Sequence, residues 1–142
     1  MLEQSAGQGF PSSGFEGELI DVRLPATAVH LPVLRTLTAD LAARLDFNLD
    51  EVADLRMAVD EACAGLVARA SAPTQLRCVF QTDADALWVV ASAHTVDGIP
   101  PARDTFGWRV LTALVDKVDA TADQDTRLVT VKLCKRRSGI EA

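Results

Sequence analysis

"DLRMAVDEACAGLVARA", residues 54–70, decides how the rest of the chain is read. Leu55, Val59, Ala62, Cys63, Leu66 and Ala70 recur at the 3.6-residue period of an amphipathic helix, and Val52 extends the stripe backward. Asn48 followed by Glu51 makes a capping-box start, and Pro73 lies just beyond the end. The opposite face is unusual. Turning about 100° per residue puts Glu61 nearly opposite the stripe, with Met57, Ala64, Gly65 and Ala68 around it and Asp54 a little aside. A solvated face normally carries more Lys, Glu and Arg, and glycine inside a helix costs about 1 kcal/mol relative to alanine. Either alanine stands there simply as the best helix former, or this face receives a ligand, a covering loop or a partner.

Outward from this helix the elements follow by pattern. "GELIDVRLP" (17–25) alternates Ile20, Val22 and Leu24 against Asp21 and Arg23, as a half-buried strand does. Pro32 suits a first helical turn, and Leu34, Leu37, Leu41 and Leu45 carry a helix to about Asp46. Two strands, 75–81 and 86–93, are joined by "TDADA"; "LWVVA" in the second is nearly continuous, as in a buried strand. The loop "HTVDGIPPARD" (94–104) cannot be regular throughout. A helix from about 105 is expected to bury Val110, Leu111, Leu114 and Val118, and "RLVTVKLCK" (127–135) reads as a last strand. The order strand, helix, helix, strand, strand, helix, strand predicts a two-layer α/β sandwich, with helices on one face of a mixed or antiparallel sheet.

Composition bounds the function. A chain of 142 residues, 49% hydrophobic and 24% charged, is one globular domain with a real core. The Gly- and Ser-rich residues 1–16 are expected to be a flexible tail, 17–137 the domain, and 138–142 a C-terminal tail. A net charge of -6 argues against direct nucleic-acid binding, and "KRR" (135–137) reads as a solvated strand end. Cys63, Cys78 and Cys134 sit in apolar patterns, as small buried hydrophobes rather than redox centres. Neither His30 nor His94 has a partner at metal-ligand spacing, so no metal site is expected. Without a signal sequence or an apolar run of about 20 residues, a cytoplasmic protein with no membrane contact is expected.

The run "ADLRMAVDEACAGLVARA" resembles the N-box helix of the GHKL (Bergerat) ATPase-like fold, and more narrowly the anti-sigma factors and serine kinases of the RsbW and SpoIIAB type. The likeness reaches back through "LRTLTADLAARLDF" and forward through "DTFGWRVLTALVDKVD", and it looks closest to the divergent UsfX-like branch. The resemblance implies an N-box of Glu, three residues, then Asn. The Glu would be a general base, and the Asn would help hold Mg²⁺ beside the ATP phosphates. Glu61 matches the Glu, but Gly65 stands at the Asn position and offers no oxygen. The Asp-x-Gly-x-Gly box, whose Asp accepts from adenine, meets Asp97-Gly98-Ile99-Pro100-Pro101, with Ile99 and Pro101 in place of both glycines. Of the final Gly-x-Gly only Gly107 remains, after Thr105 and Phe106.

Three damaged boxes favour a degenerate nucleotide site with no cofactor over Mg·ATP. The resemblance further implies an anti-sigma factor that sequesters an alternative sigma factor and is released by a STAS-type anti-anti-sigma protein. A homodimer is a further implication. The family's partner-binding arginine aligns with Arg35, beside Ala39 and Ala42. The alternative is a serine kinase acting on the antagonist, with Glu61 as base and Asp97 at adenine.

Overall fold

Hydrophobic alternation at one end of the chain and helical periodicity in its middle converge on one core. The computed structural model describes residues 17–139; the expected tail at 1–16 lies outside them, as do 140–142 of the expected C-terminal tail. The elements are β1 (Leu19–Pro25), α1 (Leu31–Arg44, preceded by a 3₁₀ turn at Ala28–His30), α2 (Leu49–Arg69), β2 (Gln75–Thr82), β3 (Ala86–His94), α3 (Phe106–Leu114), β4 (Lys117–Asp123) and β5 (Leu128–Arg136). The strands make a five-stranded sheet in the order β1-β2-β3-β5-β4. Every neighbouring pair is antiparallel, which resolves the mixed-or-antiparallel expectation.

Register carries the core across the sheet. Ile20, Phe80, Val89, Leu133 and Val118 stand side by side in one row through all five strands. Above them lies the buried stripe of α2, with Leu55, Val59 and Cys63 at 0% exposure and Leu66 at 3%. From α1, Leu31, Leu34, Leu41 and Ala42 join the same cluster. Each such side chain contributes about 1.5–3 kcal/mol by leaving water.

Two sequence expectations need correction. Val118 belongs to β4, not to the helix, which ends at Leu114. "KVDATAD" was hidden because its Asp and Ala residues have weak strand propensity, and only an edge position beside β5 makes it a strand. The basic cluster is not a solvated end: the Lys135 ammonium donates to the Leu114 carbonyl at 2.8 Å and lies 3.6 Å from Asp54. Arg137 pairs with Asp85.

Just beyond β5 the chain is tied back to the start of α2 by Glu51. Its carboxylate accepts from the Asn48 N–H at 2.9 Å as the capping box requires, and also from the Ser138 N–H at 2.6 Å. The helix start and the exit of β5 therefore share one anion. Burial raises the Glu51 carboxyl, but the N–H bonds from Asn48 and Ser138 outweigh it and leave the pKa lowered. A lowered native pKa gives stability that is complete above the unfolded value and is lost as pH falls through the native one. Glu51→Gln is expected to cost about 1–2 kcal/mol at pH 7 and to flatten the loss of stability below about pH 4.5, as read from urea unfolding at stepped pH.

Candidate functional site

Helix α2 presents its second face outward because its first face is committed to the sheet. Glu61 and Gly65 are exposed there, one turn apart, and Met57 is 56% exposed. The glycine at 65 has no packing reason: a Cβ there would meet nothing within 4 Å. Nothing in the structure needs the room. Gly107, in the first turn of α3, differs. A Cβ on it would stand 2.6 Å from Glu61 Oε2, so the carboxylate lies directly against that bare backbone. Thus Glu61 and Gly65, one turn apart on α2, and Gly107, named from a separate stretch, are brought to one place.

Thr105 is the N-cap of α3, accepting from the Trp108 N–H at 3.2 Å. Trp108 does not crowd the helix end as its position in sequence suggests. It is buried, with the Arg103 guanidinium 4.8 Å from its ring centre, while Phe106 is 79% exposed. Glu61 makes no hydrogen bond to any described residue.

Asp97 lies apart from Glu61, at the far end of α2. Its two oxygens accept from Arg69 Nη2 at 2.5 and 2.6 Å, and Oδ1 also takes the Ile99 N–H at 3.1 Å. Arg69 stands eight residues after Glu61, roughly 12 Å along the helix axis. The Arg69 bond, helped by the Ile99 N–H, holds the Asp97 carboxyl below the usual carboxylate range. A carboxylate so engaged has little acceptor capacity left for an adenine amine. Gly98 is buried with φ +65°, donates to Thr95 Oγ1 at 2.8 Å, and leaves only 3.0 Å between a would-be Cβ and the Arg127 Cα. Its glycine is accounted for by the loop packing on the turn between β4 and β5.

Of the positions that the family resemblance ties to Mg·ATP, Gly65 offers no side-chain oxygen, Asp97 is bonded to Arg69, and Ile99 and Pro101 stand in place of the two glycines.

Arg35 is on the α1 flank facing α2, where its Nε donates to Asp60 Oδ1 at 2.8 Å. Both side chains remain about two-fifths exposed. Ala39, one turn on, is half-buried. Ala42 must be withdrawn as a contact residue: two turns on from Arg35 and on the same side of α1, its short side chain is covered within the core cluster and is 0% exposed. Two residues were missed in the sequence, Asp60 and Arg69. Arg69 had a weak signal as a base in a helix's last turn, whereas nothing local marks Asp60, whose partner is 25 residues away.

The three cysteines are buried and free, as expected. Contact with Cys63, then burial, raises the Cys78 thiol, and burial pushes Cys134 up to about 11. Such thiols are poor nucleophiles.

No protein-family model matches the chain. It is 39% identical over 106 residues to the anti-sigma-F factor RsbW of two Mycobacterium tuberculosis strains, covering 73% of this chain and 62% of theirs. It is 30% identical over 81 residues to the serine-protein kinase RsbW of Bacillus cereus (strain B4264), covering 56% of this chain and 51% of that one. The chain thus spans less than two thirds of the length of these curated relatives. A crystal structure of RsbU and RsbW domains from M. tuberculosis matches at a TM-score of 0.64, with 15% identity, over 84% of this chain and 32% of that one.

The fold is accordingly the GHKL-type α/β sandwich of an RsbW domain. In sequence the chain is RsbW-like, as the helix at 54–70 implied.

The glycines separate by role. Gly65→Ala is expected to raise unfolding free energy by about 0.5–1 kcal/mol, since helix propensity improves and nothing is displaced. Gly98→Ala is expected to lower it by about 1–3 kcal/mol through the left-handed backbone. Urea unfolding of both variants checks the contrast.

Proposed function

We propose that this chain is an anti-sigma factor that binds and sequesters an alternative sigma factor and is released by a STAS-type anti-anti-sigma antagonist. The observation that carries the reading is the 39% identity over 106 residues to proteins named anti-sigma-F factor. Arg35 and the neighbouring half-buried Ala39 supply the contact surface, with Arg35 suited to a partner carboxylate through its planar, charged fork. Exchange between partners proceeds without nucleotide in this reading, which the Arg69–Asp97 pair and the bare Gly65 support. The sigma factor's own location makes the protein cytoplasmic; among the described residues no helix is long and apolar enough to cross a membrane.

A homodimer belongs to the same proposal. Its support is a groove of about 660 Å³ between β1 and α1, lined by Val22, Val33 and Leu37. Val33 is 49% exposed there, and among the described residues β1 has no strand on its outer side.

The kinase reading keeps one observation in its favour. Glu61 is an exposed carboxylate set against Gly107 at the first turn of α3, close to where the family's base would work. Its relative in B. cereus carries the kinase name.

Calorimetric titration separates the two. The purified chain is expected to bind a purified alternative sigma factor of the sigma-F class at micromolar strength or better, with the same affinity when Mg·ATP is added, and to show no heat with millimolar ATP or ADP. Phosphate transfer to the serine of a STAS protein, lost in Glu61→Ala, would establish the kinase instead. Failure to bind any of a panel of sigma factors would overturn the anti-sigma reading.

A further inference from the structure

Asp60 stands between the sheet-facing stripe and Glu61, and no box of the sequence includes it. It reaches sideways to α1, where it accepts from Arg35 Nε alone, at 2.8 Å. Neither Nη of Arg35 makes a hydrogen bond to a described residue. A guanidinium carries five N–H donors in a rigid plane. One bond at Nε fixes that plane and leaves the end-on pair of amino groups unspent. An arginine held in this way loses less rotamer freedom when it meets a second carboxylate, and such ordering costs about 0.5–1.5 kcal/mol per long side chain when it is left to the partner.

The surroundings fit a protein partner. Arg56 and Met57, one turn before Asp60 on the same helix, and Ala64, one turn after, form a stripe beside the pair. Arg56 is exposed and makes no hydrogen bond to a described residue, and Met57 is 56% exposed. Arg35 and Arg56 are balanced in charge by Asp60 and the exposed Glu61, but their unspent guanidinium donors stand beside an adaptable apolar side chain. That is complementary to an acidic segment carrying an apolar neighbour.

We infer that Asp60 is a positioning residue: it holds Arg35 by Nε so that the free end of the guanidinium is presented to a carboxylate of the bound sigma factor. The inference rests on the anti-sigma reading above. Asp60 touches the partner only through Arg35, so its effect must vanish when Arg35 is gone. The carboxyl oxygen, not the full charge, is what anchors Nε, so an amide in its place should serve nearly as well.

The test is a double-mutant cycle on sigma-factor affinity, using the full chain and the purified sigma-F-class factor that binds it. Asp60→Ala is expected to weaken binding about five- to tenfold, a coupling of the size found between contacting residues. In an Arg35→Ala background the same change should do nothing. Asp60→Asn should stay within about twofold of wild type, because its side-chain oxygen still accepts from Nε. Tighter binding by Asp60→Ala would show Asp60 to be a competitor for Arg35, and would overturn the inference. So would unchanged affinity, or a loss that persists without Arg35. Wild-type protein that binds no sigma factor sinks the anti-sigma reading itself and the inference with it, an outcome distinct from binding that ignores Asp60.

Discussion

The seating of α2 on the antiparallel sheet is the constraint from which the other features follow. A helix has one apolar stripe to bury, and here Leu55, Val59, Cys63 and Leu66 are pressed against side chains such as Cys78, Phe80 and Val89. Once that stripe is committed, the 3.6-residue period leaves no choice about the rest. Glu61 and Gly65 must face outward toward α3, and Asp60, turned by one residue, must face α1. The site is thus a by-product of core packing. Its position is as rigid as the core, because interiors packed at crystal-like density do not allow a helix to rotate.

The same seating accounts for the residues at the positions that the family resemblance ties to nucleotide. Gly65 points into open space, where a Cβ would meet nothing within 4 Å. Asp97 pairs with Arg69, which ties the loop after β3 to the end of α2. Gly98 is held by backbone geometry against Arg127. Residues that look like remnants of ligand binding are therefore of two kinds. Some are now part of the loop's own structure, and Gly65 is not engaged at all. Glu61 and Gly107, by contrast, lie directly against each other.

Charged side chains at the helix and strand ends link elements distant in sequence. Glu51 joins the start of α2 to the exit of β5, Arg69 joins its end to the loop at Asp97, and Arg35 joins α1 to its middle through Asp60. Glu51 is buried, but the two exposed ion pairs, Arg69–Asp97 and Arg35–Asp60, contribute little to stability, typically about 0–1 kcal/mol. Their effect is chiefly orientational. Arg35 shows the difference best: half-exposed, it would be a mobile cation without Asp60, and with it a directed one.

Periodicity alone was enough to give the two-layer sandwich, the stripe of α2 and its outward face, because alternation and the 3.6-residue repeat are local properties of the chain. The family resemblance, not periodicity, singled out Asp97, Gly98 and Gly107 as residues to examine. Periodicity missed β4, whose Asp- and Ala-rich residues become a strand only beside β5, and the reading that put Ala42 at a contact surface fails because Ala42 is wholly buried in the core cluster. The partners of Asp60 and Asp97 were equally beyond its reach, since Arg35 and Arg69 lie 25 and 28 residues away along the chain. Which carboxylate stays free and which is taken is decided by long-range contacts, and only the tertiary structure makes them.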